Sequence, residues 1–286
     1  MKATKRPFAL SALVVAVVAW TQTAAAQTFG RTVFVQATPD NRIGNCNRLR
    51  NVLAGINDAT DRNPVIVKLE AGIYNCVSTP VAMKPFVTIE GAARSFSKII
   101  GNALGSDQGV IRGANDSALR HLTVEHAGSG MDQQVVINTL GRRMSFTDIA
   151  VKIDSATAFG VSGIRADGGF LDFNSVSIHT NNPGGEGQGI LAFSGARLNM
   201  MNVWIQNLSG AGNPAALQLI DSSVTGHGIL FSSNVFSVVA FGNSVIELVG
   251  GTMIGGAASG GGFTGSYSCI AIANGVDFTA RGATCN

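Results

Sequence analysis

From about residue 120 onward, apolar positions recur with two periods at once. Within short segments they alternate, and the segments return about every 27 residues. Leu122-Thr123-Val124, Ile149-Ala150-Val151, Val176-Ser177-Ile178 and Val203-Trp204-Ile205 follow one another at steps of 27. Ile229-Leu230-Phe231 comes 26 later, and a weaker Thr252-Met253-Ile254 comes 23 after that. Each triplet reads in–out–in, the period of a β-strand. A second ladder precedes it by 12 residues, at Ile137, Ile164, Leu191 and Leu217. Between the two lies a third, Met144/Phe146, Leu171/Phe173 and Leu198/Met200. Turn formers such as Asp167-Gly168-Gly169 and Asn181-Asn182-Pro183-Gly184-Gly185 separate the segments.

Repetition at this period marks a stacked architecture. If coils stack, each strand pairs in parallel with the equivalent strand of the next coil, and like residues fill one continuous apolar interior. Parallel crossovers favour the right hand. The pattern therefore predicts an all-β, right-handed parallel β-helix (a solenoid) with coils of about 27 residues. A leucine-rich repeat has a similar period, but its asparagine-anchored leucine pattern is missing. Each unit here also holds three strand-like pieces rather than one.

The open ends of a solenoid need covering, because bare strand edges template aggregation. Cys46 to Ala59 predicts an N-terminal capping helix with Leu49, Val52, Leu53 and Ile56 on one face. Behind it come the run VIVKLEAGIY over 65–74 and KPFVTIEG over 84–91. This succession resembles the opening of pectin-lyase-like right-handed β-helix proteins, most specifically over residues 33–101. About 260 residues after position 26 can bury one large core, which gives a single domain over 27–286, with a cap at 27–62, coils at 63–256 and a C-terminal cap at 257–286. That superfamily holds pectate lyases, polygalacturonases and pectin methylesterases beside tailspikes and adhesins, so it implies a fold rather than a reaction.

Composition adds the compartment. Lys2, Lys5 and Arg6, an apolar run from Phe8 to Trp20 and Ala24-Ala25-Ala26 have the order of a secretory signal peptide, residues 1–26. The apolar run is too short to span a bilayer. The net charge of +3 comes from 20 basic and 17 acidic residues. Three of the bases lie in the signal, so the exported chain is neutral and nothing points to nucleic acid. Four cysteines suit an oxidising, extracellular or periplasmic setting. The economical pairing is Cys46–Cys76 and Cys269–Cys285, one staple at each end; two other connectivities are open. No Cys/His cluster has metal-ligand spacing, and no cofactor motif is present.

Fragments of several catalytic patterns occur along the chain, none of them complete. Gly226-His227-Gly228 matches one polygalacturonase motif, but the aspartate motifs that should accompany it are missing and only Asp221 lies near. It reads as a turn entering Ile229. Asp132-Gln133-Gln134 offers pieces of a methylesterase site without its pattern. Arg165 with Asp167 and Asp172 is the nearest approach to a lyase base beside carboxylates, and reads as a surface ion pair across a turn. Gly185-Glu186-Gly187-Gln188-Gly189 precedes a strand rather than a helix, so it is no phosphate cradle. No catalytic residue is assigned.

One feature stands above this background. Stacking predicts two outward columns, Glu125–Lys152–His179–Gln206–Ser232 and Thr123–Ala150–Ser177–Trp204–Leu230. An outward indole flanked by Ser177, His179 and Gln206 would grip a sugar: a flat apolar face for C–H bonds, with hydrogen-bonding groups at its rim. The sequence thus points to a secreted β-helix that binds polysaccharide without catalysis. The alternatives are a polysaccharide lyase, hydrolase or esterase with an atypical site, and a structural or adhesive solenoid.

Overall fold

The computed structural model describes residues 30–259 and 266–274, except 104, 106, 129, 131, 157 and 211–213. The proposed signal at 1–26 and Cys285 lie outside the described residues, and so does any Cys269–Cys285 pairing. All strand pairings within the stack are parallel, and they build a β-solenoid with three faces.

The first face stacks Arg31–Val35, Val65–Leu69, Val87–Gly91, the start of Ser117–His126, the start of Met144–Asp154, Phe170–Asn174 and Arg197–Met201. It continues through the starts of Ser223–Phe241 and Val245–Ser259 to Ser266–Asn274. The second face stacks Gly72–Asn75, Ser97–Gly101, the ends of the two long strands, Ser177–Asn181 and Trp204–Asn207. The third carries Val81–Ala82, Ile111–Arg112, Gln134–Asn138, Gly160–Asp167, Glu186–Phe193 and Ala215–Ile220. Among the described residues the stacked strands run from Arg31 to Asn274.

Register follows the predicted ladders through the middle of the molecule. Ile149 pairs with Leu122, Val151 with Ile178 and Ile178 with Ile205. Met144–Leu171–Leu198 and Phe146–Phe173–Met200 align as predicted, and the Phe146 and Phe173 rings stack 5.0 Å apart, fully buried. Two assignments are corrected. Leu191 pairs with outward Arg165, and Ile190 takes the inward place between Ile164 and Leu217. The turn through Ser194 and Gly195 holds one residue more than the one through Gly168 and Gly169, which shifts the strand before it. Thr252 pairs with outward Leu230, and Gly251 faces Ile229, because the last coils are shorter: Ser223 pairs with Val245, 22 residues on. Early coils also depart from 27, since Val65 pairs with Val87 and Thr88 with Ala118.

The helix α1 spans Arg42–Gly55, starting a turn earlier and ending sooner than the sequence suggested. Asn41 caps it by accepting from the Gly44 N–H, and Ile56 beyond its end is extended yet buried. Leu49, Leu53 and Cys46 are buried, and Cys46 is bonded to Cys76 in the first coil. Asn45, also buried, donates to the carbonyls of Thr38 and Ile73, tying the helix to the same coil.

Candidate functional site

The corner between the first and second faces sets up the site. In successive coils it is turned by one residue with left-handed backbone: His121, Asp148, Ser175, Asn202, Gly228 and Gly250, with φ between 50° and 65°. Such φ values favour Gly, Asn, Asp and His, which explains the polar column. Gly226-His227-Gly228 belongs here, as the turn entering Ile229. The coil before His121 is different. Between Gly91 and Ser97 the same corner is a five-residue loop, 92–96.

That loop folds along the solenoid axis. The Thr123 hydroxyl donates to the Arg94 carbonyl at 2.6 Å, pinning its backbone. The Arg94 guanidinium then reaches along the corner column, 3.7 Å from the Asp148 carboxylate and 3.4 Å from the Ser175 carbonyl. Asp148 also meets His121 Nδ1 at 3.0 Å.

Beneath the loop, the second face presents both predicted outward columns in register. Thr123 to Trp204 of one column and Lys152 to Gln206 of the other line a cleft of about 480 Å³ together with Arg94 and Ser95. Its floor is small, Thr123, Ala150 and Ser177; its flank is Lys152, His179 and Gln206; Trp204 stands at one end. The four residues singled out by sequence, Ser177, His179, Trp204 and Gln206, thus lie together in one cleft. Trp204 is 47 % exposed, and the His179 ring nitrogen Nδ1 sits 3.0 Å from Gln206 Oε1.

No carboxylate lines this cleft. The nearby acids face other groups: Glu125 pairs with Lys98 at 3.0 Å, and Asp154 accepts from Asn181 at 2.9 Å. Asp148, outside the lining, pairs with Arg94, so Lys152 is the cation of the lining that is not set against a carboxylate in this way. Arg94 was missed in the sequence because its partners are 54 and 81 residues away.

Next to the cleft, His126 is buried at the following corner. Its Nε2 lies 2.8 Å from the Ala103 carbonyl while Nδ1 accepts from the Gly128 N–H, a neutral arrangement; desolvation lowers its pKa below 6.5, against the opposing pull of the Ala103 carbonyl.

Other candidates do not assemble. The Arg165 guanidinium stacks over the Phe193 ring at 4.8 Å rather than pairing with Asp167 or Asp172, which correct the ion pair expected there. Asp172, on a different face, accepts from Asn199. Gln134 is buried, donating to the Gly130 carbonyl. Among the described residues, no group of three or more His, Cys, Asp or Glu is placed to hold a metal ion, and no helix is long and apolar enough to cross a membrane.

No family model and no curated protein matches the chain. Among solved structures, it is similar to a pectin methylesterase in complex with hexasaccharide VII, at 15% identity over 73% of this chain and 75% of that one, TM-score 0.36. It is also similar to pectin methylesterase PemA from Erwinia chrysanthemi, at 15% identity over 82% and 81%, TM-score 0.40. A third, ORF18 of Geobacillus virus E2, shares 12% identity over 85% of this chain and 60% of its own, TM-score 0.41. This likeness assigns no role to any residue of the cleft.

Proposed function

We propose that the protein is an exported, right-handed β-helix that binds an acidic polysaccharide in the cleft of the second face, with α1 capping its N-terminal end. The observation that carries this reading is the half-exposed Trp204 indole closing a cleft that holds Arg94 and Lys152 but no carboxylate. An aromatic plate takes the apolar face of a sugar ring, and His179, Gln206 and Ser177 supply rim hydrogen bonds. Lys152, with the Arg94 guanidinium that Asp148 holds at the wall, favours a ring bearing carboxylate or sulfate. Export is supported by the basic–apolar–Ala-x-Ala start and by the Cys46–Cys76 bridge.

A second reading draws on His121. Its Nδ1 is held by Asp148, which leaves Nε2 to move a proton, and Arg94 joins Asp148 to the cleft. One experiment addresses both. The purified protein is incubated with acidic and neutral polysaccharides, scoring retention on each and release of unsaturated ends, reducing ends or methanol. Retention on the acidic polymers without release is expected. Release that disappears in His121→Ala would make the protein an enzyme, and retention on neutral polymers alone would remove the acidic reading.

A further inference from the structure

We infer that the cleft is a trough closed at both ends, which takes a saccharide segment of about three rings rather than a through-running polymer. This rests on the saccharide-binding reading above. Side-chain size changes in a set order along one outward column. Reading down the stack, register places Lys98, Thr123, Ala150, Ser177, Trp204 and Leu230 in line. The order is large, small, small, small, large, large.

The three small residues make the depression. Thr123 and Ala150 line the cleft at only 5 % exposure, Thr123 at the edge of the Arg94 backbone it bonds, and the lining ends at Trp204 without reaching Leu230. At the other end the Lys98–Glu125 pair and the Arg94–Ser95 turn stand above the Thr123 row. One long side is the Arg94 side chain lying along the corner column; the other is Lys152, His179 and Gln206. Three rows at an inter-strand spacing of about 4.8 Å give a floor of about 14 Å. One coil is close to the length of one pyranose in an extended chain, so each row faces one ring. The cations sit at the middle and the looped end, the indole at the far end. A polymer could enter such a trough by its terminus or at a bend, but not lie through it.

The test is calorimetric titration of the purified protein with α-1,4-linked oligogalacturonates of two, three, four and six residues. Affinity should rise about tenfold from two residues to three, and then change less than about twofold up to six. A further tenfold gain between three and six residues would reveal an open groove and overturn the closed trough, while leaving acidic-saccharide binding intact. If none of the four binds, the acidic-saccharide reading itself falls, and the trough length with it. Ala150→Phe, which fills the middle row, should weaken the trimer at least tenfold at an unchanged melting temperature. Should that variant fail to fold, Ser177→Leu in the next row carries the same expectation. An unchanged affinity in a folded variant would place the ligand elsewhere and overturn the inference.

Discussion

Two corners of this solenoid join the same two faces in different ways. From His121 to Gly250 the turn is a single left-handed residue repeated in every coil, whereas one coil earlier it is the loop 92–96. The repeated corner keeps strands in register, so interior side chains meet their own kind. The loop breaks the repeat and lies over the neighbouring coils, where Arg94 walls the cleft. Regular coils supply stability and a flat floor; the one irregular corner supplies relief and charge. If that division is right, changes in the repeat should cost stability without touching ligand, and changes at the cleft should do the reverse.

The largest effect belongs to the interior of the repeat. Phe173 is fully buried and stacked on Phe146. Phe173→Ala should cost about 3–5 kcal/mol, read from denaturant unfolding, because the cavity cannot close between fixed coils. A loss below 1 kcal/mol would mean that the middle coils do not share a continuous core.

Next comes the staple at the N-terminal end. Cys46–Cys76 closes a loop with sequence separation 30 and ties α1 to the first coil. Replacing both by Ser should cost about 2–4 kcal/mol, largely through the unfolded chain. Peptide mapping without reduction should find this bridge, and Cys46 joined to Cys269 or Cys285 would contradict it. Smaller again is the repeated corner itself. Asn202 has φ of 53°, so Asn202→Val should cost about 1–2 kcal/mol through backbone strain, whereas Asn202→Gly should not. Equal melting temperatures for the two would show that the corner tolerates any residue.

The same contrast explains what the sequence disclosed. Wherever one coil copies the last, side chains at a fixed offset share an environment, so Phe146–Phe173–Met200 and the column through Trp204 were readable directly. The reading slipped by one at Leu191 and Thr252, where a turn one residue longer and shorter late coils moved the strand without changing its alternation. Ile190 and Leu191 are both apolar, so alternation alone could not choose between them. Arg94 was invisible for a different reason. Its loop has no counterpart in any other coil, and its contacts depend on a fold that brings residues 54 and 81 positions away under it. A cue did exist: the five-residue gap between Gly91 and Ser97 is where later coils run almost straight from one strand to the next.

The smallest effect on stability should come from Trp204, and it is the sharpest test of the division. The indole points outward from a strand whose neighbours Val203 and Ile205 are buried, so it supports no interior packing. Trp204→Ala should therefore shift the melting temperature by little, while weakening saccharide binding about tenfold, which is about 1–2 kcal/mol of lost stacking. His179→Ala and Gln206→Ala should weaken binding less. Each removes one partly hydrated hydrogen bond worth about 0.5–1.5 kcal/mol, although the two side chains hold each other at 3.0 Å and their effects should not add. Fluorescence gives an independent check, because Trp20 is the only other tryptophan and leaves if the signal is cleaved. A red-shifted emission, quenched freely by acrylamide and protected by added oligogalacturonate, is the expected behaviour of a 47 % exposed indole in an occupied cleft. A blue-shifted emission that acrylamide barely quenches, with a lower melting temperature in Trp204→Ala, would make the tryptophan part of the packing and end the contrast between the two regions.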